Sequence, residues 1–155
     1  MFENIKLRWF VLPFLCVLFL QHSNPADAKQ SFGDYEGAVY VRNYDGDTIT
    51  FNLSTLHPII GKNISIRVNG IDTPEIRGKC EKETYDAEQA RDMVSDILKD
   101  AGKIVLKNLR RGKYFRIVAD VYVDEENLAD ILIEAGVAIP YSGGKKKQNW
   151  CQTDK

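Results

Sequence analysis

The sequence predicts an α+β domain with its elements in the order three strands, helix, two strands, helix. Strand patterns occur at about 36–42, 47–54 and 63–71. A helix pattern at about 84–101 separates them from two more strands, and a shorter helix pattern follows at about 127–135. A helix between the third and fourth of five strands is typical of the OB-fold, a partly open five-stranded β-barrel.

The first two strands are predicted to form a hairpin around a short acidic turn. The run YEGAVYVR precedes an Asp-Gly pair, and the run TITFNL follows it. An Asp-Gly pair between alternating apolar runs is a strong hairpin signal. In the third strand Ile64, Ile66 and Val68 alternate with polar residues, so Arg67 falls on the polar face.

The longer helix is predicted from apolar residues at helical spacing. Asp86 followed by Gln89 predicts a capping box at its first turn, and Gly102 predicts its end. The run YFRIVADVYV predicts the last strand. Its apolar face would consist of Phe115, Ile117, Ala119, Val121 and Val123.

Residues 1–28 have the pattern of a secretory signal peptide, and residues 29–155 would form the domain. Lys6 and Arg8 precede the apolar run WFVLPFLCVLFL, and a polar stretch ending in ADA predicts cleavage after Ala28. The apolar run is short for a membrane span, which needs about 20 residues. An uncleaved anchor is the alternative. We therefore expect an exported protein, periplasmic or secreted, with no stable membrane association after cleavage.

The formal net charge of −1 excludes a protein that coats nucleic acid through a uniformly basic surface. Removing the leader hardly changes this balance, because the leader carries two charges of each sign. Any contact with a polyanion must therefore be local. The densest basic run is GGKKKQ, at residues 143–148.

The acidic turn of the hairpin is either a plain turn or one half of a metal site. Asp45 and Asp47 flank a single glycine. An EF-hand does not fit, because Val41 and Asn52 would occupy the first and twelfth loop positions, where carboxylates are needed. If either aspartate binds a metal ion, the other ligands must come from elsewhere in the chain.

A second polar cluster lies in RVNGIDTPEIRG, residues 67–78. Asp72 ends the third strand, Pro74 restricts Thr73 to an extended or turned backbone, and Glu75 follows at once. Together with DGDT before it and KYFRIVADVY after it, this cluster resembles the signature segments of the thermonuclease family, the staphylococcal-nuclease-like (SNase-like) proteins. The three segments occur in the family's order, and the resemblance extends over about residues 36–141.

The resemblance implies an OB-fold endonuclease that uses Ca²⁺ to hydrolyse phosphodiester bonds of DNA and RNA with little sequence specificity. The implied roles form four groups. These are Ca²⁺ ligands (Asp47 and Asp72 through carboxylates, Thr73 through its carbonyl), a residue behind them (Asp45), catalytic residues (Glu75 as general base, Arg67 and Arg116 as the phosphate-binding pair) and nucleotide contacts (Lys113, Tyr114 and Tyr141).

The residue types suit this chemistry. Ca²⁺ prefers oxygen ligands, several of them carboxylates. Two arginines can meet the extra negative charge of a pentacovalent transition state with forked donors. The sequence departs from the family pattern at Phe115, where the family often has a small residue, and in the loop after Glu75, which is shorter and contains Cys80.

Cys80 and Cys151 remain once the leader with Cys16 is removed. Two cysteines in an exported chain predict one disulfide, and two unrelated thiols are the alternative. The bond would anchor the segment GGKKKQNWCQ beside the site and bring residues 145–147 near the substrate path.

Two other functions compete with the nuclease. One is a non-catalytic OB-type module that binds nucleic acid or protein, and the other is an exported domain that binds Ca²⁺ for stability only. Degenerate binding modules lose the ligand aspartates or the arginines, and this sequence keeps both. We expect a monomer that takes DNA and RNA as substrates and has no obligate protein partner.

Overall fold

The computed structural model describes residues 30–146 and 148–152. The predicted leader lies outside these residues, so its cleavage stays a prediction. Within the described ranges no helix is both long enough and apolar enough to cross a membrane.

The described residues form nine strands and three helices. The strands are β1 (Tyr35–Glu36), β2 (Ala38–Asn43), β3 (Thr48–Leu53), β4 (Ile64–Val68), β5 (Ile71–Asp72), β6 (Ile104–Arg111), β7 (Ile117–Val123), β8 (Glu126–Asn127) and β9 (Ile139–Pro140). The helices are α1 (Pro58–Gly61), α2 (Glu81–Asp100) and α3 (Leu128–Glu134), and a single 3₁₀ turn covers Lys113–Phe115.

The main sheet curls into a barrel because its two ends are joined by a single residue. Its strand order is β1-β6-β7-β4-β3-β2, with β8 added to β7. The end strands β1 and β2 are consecutive in the chain, and only Gly37 separates them. Gly37 has a φ of +75°, a conformation that glycine adopts without strain. The sheet is mixed, since β4 and β7 run parallel and the other pairs antiparallel. The predicted α+β fold with an OB-like barrel is confirmed.

The core lies between the inner face of the barrel and the apolar stripes of α2 and α3. Alternating residues of β3, β4, β6 and β7 point inward, as the period-2 pattern predicts. The fully buried side chains include Ile49, Phe51, Ile66, Val68, Val94, Leu106, Val121, Leu128 and Leu132.

The predicted start of the long helix is wrong by three residues. The helix begins at Glu81, and Cys80 is its N-cap, with its sulfur accepting a hydrogen bond from the Glu83 N–H at 3.4 Å. The predicted capping box at Asp86 is absent, because Asp86 lies inside the helix and pairs with Lys82. The first turn has no apolar stripe residue, so apolar periodicity gave no signal there.

Two strand predictions also need correction. The third predicted strand breaks at Asn69–Gly70, and its end, β5, pairs with β9 in a separate two-stranded sheet. Phe115 does not belong to the inner face of the last strand, because β7 begins only at Ile117. The 3₁₀ turn before β7 leaves the Phe115 side chain 85% exposed.

Candidate active site

The acidic turn between β2 and β3 is held by the side chain of Asp45. One Asp45 carboxylate oxygen accepts hydrogen bonds from the backbone N–H groups of Asp47 at 3.1 Å and Thr48 at 2.7 Å. The Asn43 side chain donates to the Asp45 carbonyl at 2.9 Å and to the Arg91 carbonyl of α2 at 2.8 Å. The turn is therefore fixed both internally and against α2.

Gly46 allows this turn to pack directly against the next loop. A Cβ atom at Gly46 would lie 2.8 Å from the Thr73 methyl carbon and 3.0 Å from the Ala90 Cβ. Such contacts are too short for any larger residue without movement of the neighbours. The glycine thus brings Asp47 next to the Asp72–Thr73 segment.

Asp47 and Asp72 share the guanidinium group of Arg67. Both aspartates are 1% exposed. Arg67 Nη1 donates to an Asp47 carboxylate oxygen, and Arg67 Nη2 donates to Asp72 Oδ1 at 3.3 Å. The pairing of β3 with β4 places Thr48 opposite Arg67, which explains how Arg67 reaches the adjacent Asp47. Residues far apart in the sequence therefore form one buried charged cluster.

Burial and, to a smaller extent, the nearby carboxylate of Asp45 raise the pKa of Asp47 to about 7. Arg67 and the Thr48 hydroxyl, which donates at 3.0 Å, act in the opposite direction. A carboxylate in this environment is stabilised in its charged form by any additional cation.

The oxygen atoms of this cluster suit a hard divalent cation. Asp47 and Asp72 offer carboxylates, and Thr73 offers a backbone carbonyl and a hydroxyl. The Thr73 hydroxyl is buried and has no hydrogen-bond partner among the described residues. Among the described residues, no three of the carboxylates of Asp45, Asp47, Asp72 and Glu75 have oxygen atoms within 4.8 Å of one another. A Ca²⁺ ion here would therefore need several water ligands, which calcium commonly retains.

A cleft of about 830 Å³ opens beside the buried aspartates. Arg67, Glu75 and Arg116 all line it, so the structure brings the three predicted catalytic residues to one surface. Arg116 follows the 3₁₀ turn at the start of β7, and its carbonyl accepts from the Gly112 N–H at 2.7 Å. No ion pair or hydrogen bond among the described residues engages the Arg116 guanidinium.

Of the three residues predicted to contact the nucleotide, two line this cleft and one lies at its edge. Lys113 and Tyr141 line the cleft, whereas Tyr114 is 90% exposed at its edge and is not part of the lining. The Tyr141 backbone N–H donates to the Gly70 carbonyl at 2.7 Å, and its hydroxyl donates to the Gly144 carbonyl at 2.7 Å. Tyr141 is thus held at the cleft by contacts from both directions.

Lys146 is a site residue that sequence reasoning located only within a basic run. Its ammonium group lies 2.7 Å from Asp72 Oδ1 and also pairs with Glu75 Oε1. Burial lowers the pKa of Lys146, but the two carboxylates outweigh it and raise the pKa above its usual value. Lys145 is exposed, and Lys147 lies outside the described residues. No local sequence signal distinguishes Lys146 from its neighbours.

A disulfide joins Cys80 and Cys151, with a Cα–Cα distance of 5.9 Å. It connects the start of α2 to the segment that carries Lys146. Glu83 lies beside the two sulfur atoms and places a possible ligand atom within 4.8 Å of them. Sulfurs that are bonded to each other are not thiolates, so this group is no metal site.

The family model of the staphylococcal nuclease homologues matches residues 65–154. This segment contains Arg67, Asp72, Glu75 and Arg116, whereas Asp47 precedes it. A search of curated proteins found no match. A domain of this family indicates a nuclease or a nucleic-acid-binding module. Because the match covers more than half of the chain and the fold agrees with it, this protein belongs to the staphylococcal nuclease homologue family.

Proposed function

We propose that this protein is an exported, Ca²⁺-dependent endonuclease that hydrolyses DNA and RNA with little sequence specificity. The observation that supports this most strongly is the grouping of Arg67, Glu75 and Arg116 at one cleft. These residues come from two separate segments, residues 67–78 and the start of β7, and Arg67 also contacts the buried carboxylates of Asp47 and Asp72. A purely structural role for Arg67 would leave Glu75 and Arg116 without an explanation.

In the proposed reaction the two arginines and the glutamate have different roles. Bound Ca²⁺, held by Asp47, Asp72 and the Thr73 carbonyl, would polarise a phosphoryl oxygen and lower the pKa of its bound water. Arg67 and Arg116 would donate to the non-bridging oxygens, where negative charge grows in the transition state. Glu75 would accept the proton of the attacking water. Its side chain is 45% exposed, which gives that water access.

A nicking assay on supercoiled plasmid tests the proposal. We expect nicked circles when the purified protein is incubated with Ca²⁺ and none with EDTA, because Asp47 and Asp72 would lose their divalent partner. Cleavage at full rate in excess chelator would contradict the Ca²⁺-dependent mechanism.

A non-catalytic nucleic-acid-binding module is the second candidate, and one observation favours it. Asp47, Asp72 and Glu75 are each already paired with a protein cation, either Arg67 or Lys146. These two cations already offset part of the negative charge of the site, so the site has less need of a metal ion to balance it. Binding of an oligonucleotide without cleavage in either Ca²⁺ or EDTA would support this alternative.

Glu75→Gln should lower the rate of cleavage by about two orders of magnitude or more, as expected for loss of a general base. The amide keeps the size of the side chain but cannot accept the proton. Isothermal titration calorimetry should find an unchanged Ca²⁺ affinity, because Glu75 is assigned as a base and not as a ligand.

The matched control is Glu88→Gln, which changes an exposed glutamate of α2 in the same way. We expect this variant to cleave at the normal rate. A collapse of Ca²⁺ affinity in Glu75→Gln would instead make Glu75 a metal ligand.

A further inference from the structure

The connection between β6 and β7 carries two aromatic side chains that the fold does not use. Tyr114 is 90% exposed and Phe115 is 85% exposed. Neither belongs to the hydrophobic core. Both lie at the edge of the cleft that Lys113 and Arg116 line.

The backbone at these two residues is unfavourable for aromatic side chains. Tyr114 and Phe115 both have a φ of +58°, in the left-handed region. Glycine and asparagine adopt this conformation most readily, and bulky residues do so at a cost. Two exposed aromatic residues in consecutive left-handed positions therefore need an explanation outside folding stability.

The surrounding segment is strongly basic in a chain that is nearly neutral. Residues 107–116 contain five lysines and arginines and no acidic residue. Arg111 supports Phe115 directly, because its Nη1 donates to the Phe115 carbonyl at 2.8 Å. The Arg111 guanidinium carbon also lies 5.6 Å from the centre of the Phe115 ring. The arrangement thus combines an exposed ring with positive charge around it.

We propose that Phe115, supported by Arg111, is a stacking platform for an unpaired base of the nucleic acid that enters the cleft. Single-strand-binding surfaces combine cations along the backbone with aromatic faces for bases. Bases inside a duplex are stacked on each other, so only an unpaired base can use the ring. The inference rests on the proposed function and assigns the Phe115 ring a contact that only single-stranded or locally melted nucleic acid can make.

The connection between β6 and β7 thus ends in a basic, aromatic tip, residues 113–116. An anionic membrane surface is the competing partner for this tip. Nucleic acid is favoured because the tip is continuous with the cleft: Arg110, Arg111, Lys113 and Arg116 contribute to the same cavity wall as Arg67 and Glu75. A strand lying in that cleft would pass beside the Phe115 ring.

Fluorescence anisotropy with a labelled 12-nucleotide single strand, measured in EDTA to prevent cleavage, tests the platform. Phe115→Leu keeps an apolar side chain but removes the π face. We expect it to weaken single-strand binding about fivefold or more, the usual effect of losing one base stack. Phe115→Tyr should bind like the unmodified protein, and affinity for a duplex of the same length should change less than twofold in both variants.

Salt dependence separates stacking from charge. Phe115→Leu should give a line of log affinity against log salt parallel to that of the unmodified protein, because no phosphate contact is lost. Lys113→Ala should make the slope shallower by about 0.7, the value for one phosphate on a single strand. Ile59→Ala is the control for an exposed apolar side chain, since Ile59 is 83% exposed on α1, beyond the far end of β3.

The outcomes that overturn the platform are distinct. Equal single-strand affinity of Phe115→Leu and the unmodified protein would refute it while leaving the proposed function intact. An equal loss in Phe115→Tyr would also refute it. Binding to phosphatidylglycerol vesicles that depends on Phe115, without a single-strand effect, would assign the tip to membranes. If the unmodified protein bound neither single strand nor duplex in EDTA and also failed to nick plasmid with Ca²⁺, the proposed function would fail together with the platform.

Discussion

Arg116→Ala should lower the turnover of a single-stranded DNA substrate by about two orders of magnitude, the usual effect of losing one donor to transition-state charge. Arg116 lines the cleft, and its guanidinium makes no ion pair among the described residues. Thermal unfolding in the absence of substrate should therefore change little. Steady-state kinetics with matched unfolding curves would measure both quantities.

Arg116→Lys is the conservative control. A lysine keeps the charge but loses the forked geometry, so we expect turnover between that of the alanine variant and that of the unmodified protein. Normal turnover in Arg116→Ala would assign this arginine to the surface and remove it from the mechanism.

Arg67 provides a contrast, because its guanidinium is already engaged. Arg67→Ala would leave Asp47 and Asp72 buried without that partner, and breaking a buried pair typically costs about 3–5 kcal/mol. Its lower activity would therefore come with lower stability in EDTA. If Asp47 and Asp72 hold Ca²⁺, adding the ion should restore much of the stability that Arg67→Ala loses. Arg116→Ala, which loses little stability, needs no such restoration.

The barrel strands and the site-bearing hairpin follow from local sequence patterns. Alternation predicts β3 and β4, and the Asp-Gly pair predicts the turn that carries Asp47. The turn also holds a buried carboxylate because Asp45 satisfies the backbone N–H groups that the turn exposes. In this segment the local preference and the candidate site agree, and this is why it could be predicted.

The features that sequence patterns could not predict depend on contacts between distant segments. Gly46 has a packing role only because Thr73 and Ala90 come against it. Lys146 reaches Glu75 across 71 residues because β9 pairs with β5 and the disulfide holds the following segment. In the sequence, Phe115 continues the apolar alternation of β7, but the 3₁₀ turn before β7 removes it from the strand.

Loss of the Cys80–Cys151 disulfide should lower the free energy of unfolding by about 4 kcal/mol, the chain-entropy value for a loop of this size. The bonded residues are 71 positions apart. The corresponding fall in melting temperature is on the order of 15 °C for a domain of this length. We expect this from the double variant Cys80→Ser/Cys151→Ser, measured by thermal unfolding under oxidising conditions.

Serine is the appropriate replacement at Cys80, because a serine oxygen also caps a helix and can accept from the Glu83 N–H. The variant then removes the covalent bond and keeps the start of α2.

Reductant should lower the melting temperature of the unmodified protein and leave that of the double variant unchanged. The bond also holds the segment between Tyr141 and Cys151, so trypsin should cut after Lys145 or Lys146 faster in the variant. Equal melting temperatures, or two free thiols in protein recovered from an oxidising compartment, would contradict a stabilising bridge. Lys146 would then have to keep its contacts with Asp72 and Glu75 through the ion pairs alone, which in a half-exposed side chain contribute little.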